Sequence, residues 1–101
     1  MTFDVVYPKD IERLRVEKRA IVVDIRSRDA YRSGHWEGAI NYPEDEVVDY
    51  TQVLGKSRMI ILYCQHGGSS MQLARNLGRN GYTVGTVVGG YDAMKKIDFR
   101  H

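Results

Sequence analysis

Three stretches of the chain are apolar at consecutive positions: AIVVDI at 20–25, RMIILYC at 58–64 and YTVGTVV at 82–88. A strand with one wet face alternates between apolar and polar residues. Runs that are apolar throughout and rich in β-branched residues instead predict strands covered on both faces, as in a parallel sheet between helices. Gly85 loosens the third run without changing its type. FDVV at 3–6 and AINY at 39–42 are shorter and predict edge or short inner strands.

The segments between these runs carry helix signals. Asp10 is placed to cap a helix through about Lys18, with Ile11 and Leu14 turned inward. Ser27 is placed to cap a short helix that stops at Gly34. Pro43 predicts the first turn of another helix, carrying Val47, Val48 and Tyr50 as far as Gly55. The strongest pattern starts at Ser69 and stops at Asn80-Gly81, and a last helix follows Gly89-Gly90 to about Ile97. Strands alternating with helices predict an α/β domain with a mostly parallel sheet between helical layers.

Composition narrows the setting. A chain of 101 residues suits one domain, here 1–101, and no linker, repeat or low-complexity segment divides it. The hydrophobic 43% and charged 28% are those of a soluble globular protein. No apolar run nears the roughly 18 residues of a membrane helix, so no membrane partner is expected. The first residues lack a basic segment followed by an apolar one, which predicts a cytoplasmic protein with its single cysteine reduced. The net charge of +2 comes from scattered basic residues with acids between them, so no nucleic-acid partner is expected either.

Chemistry concentrates after the second apolar run, in YCQHGGSSMQ at 63–72. On its own, Cys64 fits a small buried hydrophobe as well as a nucleophile. Its surroundings favour the second. In open α/β sheets, ligands bind beyond the carboxyl ends of the strands, where both Cys64 and Asp24 fall. Ser69 and Gln72 form the S-x-x-Q capping box, so Ser69 is expected as the helix cap and 64–69 as a six-position loop. Gly67 and Gly68 allow that loop to curl and aim its N–H groups inward, an anion cradle at a helix start that favours a thiolate. His66 is the loop's only candidate cation.

Three motifs in this order resemble those of a single-domain rhodanese, a sulfurtransferase module, over about residues 3–97. VVDIRSRDAYRSGHWEGAINYP is similar to the family's Asp-x-Arg and Gly-His-x-x-Gly-Ala-x-Asn motifs, ILYCQHGGSSMQLARNLGRNGY to its active-site loop and helix, and TVVGGY to the glycine pair before its last helix. The resemblance implies a three-layer α/β/α fold around a five-stranded sheet, with Cys64 as catalytic nucleophile. It also implies that Gln65, His66, Gly67, Gly68, Ser69 and Ser70 bind the donor through their amides, with Asp24 and Arg26 in a supporting ion pair. The implied reaction takes a sulfane sulfur from thiosulfate or a persulfide and passes it, as a Cys64 persulfide, to cyanide or a thiol. No cofactor or metal is expected; thioredoxin-like or other sulfur-relay proteins are the implied partners. The chain departs from the family pattern in having no Arg or Lys in the loop, Met94 where the last helix often has Trp, and Trp36-Glu37 within GHWEGA.

Two other tasks fit the same fold, a sulfur carrier and a non-catalytic interaction module. A phosphatase or arsenate reductase loop requires C-x5-R, and the sixth residue after Cys64 is Ser70.

Overall fold

All five apolar runs become strands in the computed structural model, which describes residues 2–97. The elements are β1 (Asp4–Val6), α1 (Ile11–Glu17), β2 (Ile21–Asp24), α2 (Arg28–Ser33), β3 (Ile40–Asn41), β4 (Ile60–Tyr63), α3 (Gly68–Arg79), β5 (Val84–Val87) and α4 (Gly90–Met94). The sheet runs β1-β5-β4-β2-β3 and every neighbouring pair is parallel.

The central strand β4 explains the continuous apolar run. Ile60, Leu62 and Cys64 face one core, shared with Ala74 and Leu77 of α3 and with Tyr50 and Leu54. Ile61 and Tyr63 face the other, shared with Ile11 of α1, Met94 of α4 and Trp36, with Tyr31 of α2 packed against it. Two cores on opposite faces make three layers. Each fully buried aliphatic side chain contributes roughly 1.5–3 kcal/mol through burial, and Ile60, Ile61 and Leu62 are all 1% exposed or less.

Helix ends agree with the sequence in part. Ser27 caps α2, its Oγ accepting from Ala30 N at 3.2 Å, and Gly34 closes it. Asp10 precedes α1 without a side-chain cap and pairs with Arg13 at 3.6 Å. No helix starts at Pro43: its carbonyl accepts from Glu46 N and Val47 N in a turn, and a 3-10 turn follows at Tyr50–Gln52. Asp49 caps that turn through Thr51 N, and Tyr50 donates its hydroxyl to Tyr42 O at 2.7 Å. These side-chain anchors compete with helix propagation, and Val48 points fully into solvent. The last helix ends at Met94, three residues short of Ile97, and continues as turns.

Candidate functional site

The loop between β4 and α3 is shorter than its sequence suggests. Its helix starts at Gly68, so Ser69 is an exposed residue of the first turn and not its cap. Gly67 occupies the cap position at φ 110°, where a side chain would be strained, and offers no capping oxygen. The cap acceptor is sulfur. Ser70 N donates to Cys64 Sγ at 3.4 Å and Gly67 N donates to it at 3.1 Å. Cys64 Sγ thus satisfies one of the first-turn amides that a Ser or Asp oxygen would ordinarily take.

Ser70 closes the thiol from below. Its Oγ lies 3.4 Å from Sγ, 2.7 Å from Thr86 Oγ1, and donates to Gly67 O at 3.3 Å. Ser70 is fully buried, Thr86 is 2% exposed and Cys64 is 5% exposed. Each hydroxyl therefore needs the other as a partner. Gly68 lies in ordinary helical conformation with open space beside it, so of the glycine pair only Gly67 is conformationally required.

Asp24 and Arg26 form the expected ion pair, and it reaches further than its own strand. Arg26 Nη2 lies 2.8 Å from Asp24 Oδ2 and Nε contacts both carboxylate oxygens. The same guanidinium donates to Gly34 O at 2.7 Å and to Gln65 Oε1 at 3.1 Å, and stacks 4.1 Å from the Tyr91 ring centroid. Burial alone would lower the Arg26 pKa; the bonds and charge of Asp24 outweigh it and raise the value above the ordinary one. Burial, reinforced by Asp24, likewise raises the Tyr63 phenol far above its usual range. Tyr63 is therefore a neutral wall beside the pair, its hydroxyl accepting from Trp36 N at 3.1 Å.

Gln65 and His66 share a partner that lies 27 and 26 residues away. Gln65 Nε2 donates to Asp92 Oδ1 at 2.6 Å, and His66 Nδ1 lies 2.6 Å from Asp92 Oδ2. Asp92 is held below the usual carboxylate range first by Gln65, then by His66 and Lys95. Backbone contacts run in parallel: Tyr91 N donates to Cys64 O at 2.8 Å and Asp92 N to Gln65 O at 3.1 Å. The first turn of α4 therefore takes its carbonyl caps from the loop itself.

Asp92 and Thr86 have no counterpart in the sequence reading. Thr86 carries a faint signal, a hydroxyl in the middle of a buried apolar strand that must find a partner. Asp92 carries none, because its contacts depend on how α4 docks. His35, an exposed residue, stacks on Tyr31 at 3.7 Å, and Trp36 is buried with its Nε1 donating to Glu12. Among the described residues, no group of three or more His, Cys, Asp or Glu side chains could hold a metal. No helix among them is long and apolar enough to cross a membrane.

A parallel sheet with a cysteine loop at the carboxyl end of its central strand places the chain among α/β cysteine-loop domains. The chain belongs, more narrowly, to the rhodanese-like domain family, which matches residues 7–97. It is 32% identical over 82 residues to a protein named thiosulfate sulfurtransferase GlpE from Coxiella burnetii, covering 79% of this chain and 77% of that one. Its fold superposes on the reduced CoADR-RHD of Bacillus anthracis with a TM-score of 0.81 at 31% identity. That match covers 92% of this chain but only 16% of the larger protein. A rhodanese-related protein from Thermoplasma volcanium, 20% identical, shares the fold with a TM-score of 0.82 over 93% of this chain and 92% of its own.

Proposed function

We propose that this protein is a sulfurtransferase that carries sulfur on Cys64. The observation behind this reading is the convergence of Gly67 N–H and Ser70 N–H on one buried sulfur, at 3.1 and 3.4 Å, the thiol itself donating to Ser70 Oγ at 3.4 Å. Amide donors at a helix start favour negative charge, which is the charge a thiolate nucleophile and a persulfide both carry. The name of the Coxiella relative supports thiosulfate as one donor.

The chemistry is covalent and occurs in two steps. The Cys64 thiolate attacks the outer sulfur of thiosulfate, the S–S bond of the donor breaks, and sulfite leaves with the bonding pair. The resulting persulfide bears its charge on the outer sulfur. In this reading the outer sulfur is received by the loop amides beyond the two already bonded to Sγ, preorganised donors for a localised negative charge. A thiolate or cyanide then attacks that outer sulfur, and the Cys64 thiolate is the leaving group. Ser70 stands where a phosphatase would carry its arginine, and its hydroxyl is committed to Thr86 and Gly67.

Intact mass after incubation with thiosulfate tests the reading. A gain of one sulfur is expected, lost on adding cyanide and absent in Cys64→Ser. An unchanged mass in the wild-type protein, or a gain that persists in Cys64→Ser, would overturn it.

A further inference from the structure

The only cation the loop could offer an anionic donor is already engaged. His66 lies against Asp92, which also sits 3.8 Å from Lys95 Nζ. The other cations at this rim are engaged too, Arg26 with Asp24 and Arg28 with Glu46 at 2.8 Å each. Arg75 and Arg79 lie further down α3, about 9 and about 15 Å along its axis from Ser69, and Arg75 covers the Phe3 ring. Thiosulfate is a compact dianion, and this mouth gives it little net positive charge.

The space beside the loop is of a different kind. A cavity of ≈ 240 Å³ is lined mainly by the apolar side chains of Val5, Met71, Val87 and Val88, with His66, Gly67 and Thr86 also among its walls. Val5, Met71 and Val88 are each more than 40% exposed, so their apolar surface is open to a ligand. Gly67 and Thr86 also belong to the hydrogen-bonded shell around the thiol. The cavity therefore adjoins the sulfur cradle, with room for a body of several carbon atoms.

We infer that the preferred sulfur donor is a persulfide borne on a small apolar group that seats in this cavity, in preference to thiosulfate. This inference rests on the sulfurtransferase reading and narrows its substrate class. The Cys64 thiolate attacks the outer sulfur of R–S–SH, forming the Sγ–S bond as the S–S bond of the donor breaks. The R–S⁻ group leaves with the bonding pair and takes up the proton of the transferred sulfur. Cys64 is oxidised to the persulfide level and the donor is reduced to a thiol, so no further oxidant is required.

The test compares donors that share the reacting group and differ in body: n-butyl persulfide and 2-sulfoethyl persulfide, with thiosulfate alongside. The rate of Cys64-dependent gain of one sulfur is read by intact mass, on the full chain and on Met71→Lys, whose folding is checked by its thermal transition. Wild type is expected to load from the butyl donor about tenfold faster than from the sulfonated one. Met71→Lys is expected to narrow that ratio by about threefold to tenfold and to raise loading from thiosulfate by a similar factor. Equal rates from the two persulfides, or a ratio unmoved by Met71→Lys, would overturn the donor assignment while leaving sulfur transfer standing. Absence of loading from all three donors would overturn both.

Discussion

Replacing Gly90 with alanine tests whether the contact between α4 and the cysteine loop sets the geometry of the site. A Cβ at Gly90 would lie 2.5 Å from Cys64 O and 2.7 Å from Gln65 O, with the residue held at φ +61°. Relief to an ordinary contact requires a shift of roughly 0.5–1 Å, and both neighbours are backbone atoms of the loop. The left-handed conformation costs an alanine about 1–2 kcal/mol, and accommodating the clash about 1–3 kcal/mol more. Misplacement of a reacting group by about 1 Å can reduce a rate by around 100-fold. Gly90→Ala is therefore expected to lose about 2–5 kcal/mol of stability and to slow sulfur loading by roughly 10- to 100-fold under conditions where it remains folded. Gly68→Ala is the control: it lies in the same region, with no atom near its Cβ and no positive φ. The assay is the thiosulfate:cyanide reaction, with urea unfolding followed through Trp36, the chain's single tryptophan. A folded Gly90→Ala that transfers sulfur at the rate of Gly68→Ala would refute the idea that this contact positions the loop.

Two further outcomes follow from the charged groups around the loop. Arg26→Ala strips a buried carboxylate of its cation and also removes bonds to Gly34 O and Gln65. It is expected to cost about 3–5 kcal/mol, measured as a fall in the urea midpoint, and a loss below about 1 kcal/mol would show the pair to be dispensable. Asp92 has a folded pKa below its unfolded one, so its ionised form stabilises the fold above the ordinary carboxylate value, and that support is lost as pH falls through the lower, folded value. The difference in urea midpoint between wild type and Asp92→Asn should therefore be larger near about pH 6 than near about pH 3; a constant difference would contradict it.

Legibility from sequence followed the range of the interaction. The buried strands were readable because a parallel sheet covered on both faces leaves a continuous apolar run. The Asp24–Arg26 pair is local, two residues apart on a turn leaving β2, and its formation was expected. Ser27 and Gly34 bound α2 through bonds that span only a few residues. The start of α3 departs from the sequence pattern for a physical reason. Ser69 and Gln72 satisfy the capping pattern, but the sulfur of Cys64, six residues before Ser70, already supplies the acceptor, which moves the helix start to Gly68. The segment after Pro43 had helical spacing yet is held by Asp49 and by the Tyr50 hydroxyl on Tyr42 O, anchors that periodicity does not reveal.

Asp92 was the least legible residue of the site, and it ties the cysteine loop to α4. It touches Gln65 and His66 through its side chain and Gln65 through its backbone, while its neighbour Tyr91 holds Cys64 O and stacks on Arg26. A helix of five residues has little stability of its own, so α4 depends on the loop carbonyls for its first-turn caps, and the loop depends on α4 for its side-chain partners. Neither is positioned without the other. This mutual dependence explains why one small residue, Gly90, stands at the crossing: only a backbone without a Cβ lets the two approach closely enough to exchange those bonds. It also ties the charge of the loop to that contact, because the same docking that orders Gln65 and His66 brings the Asp92 carboxylate against the loop's one candidate cation.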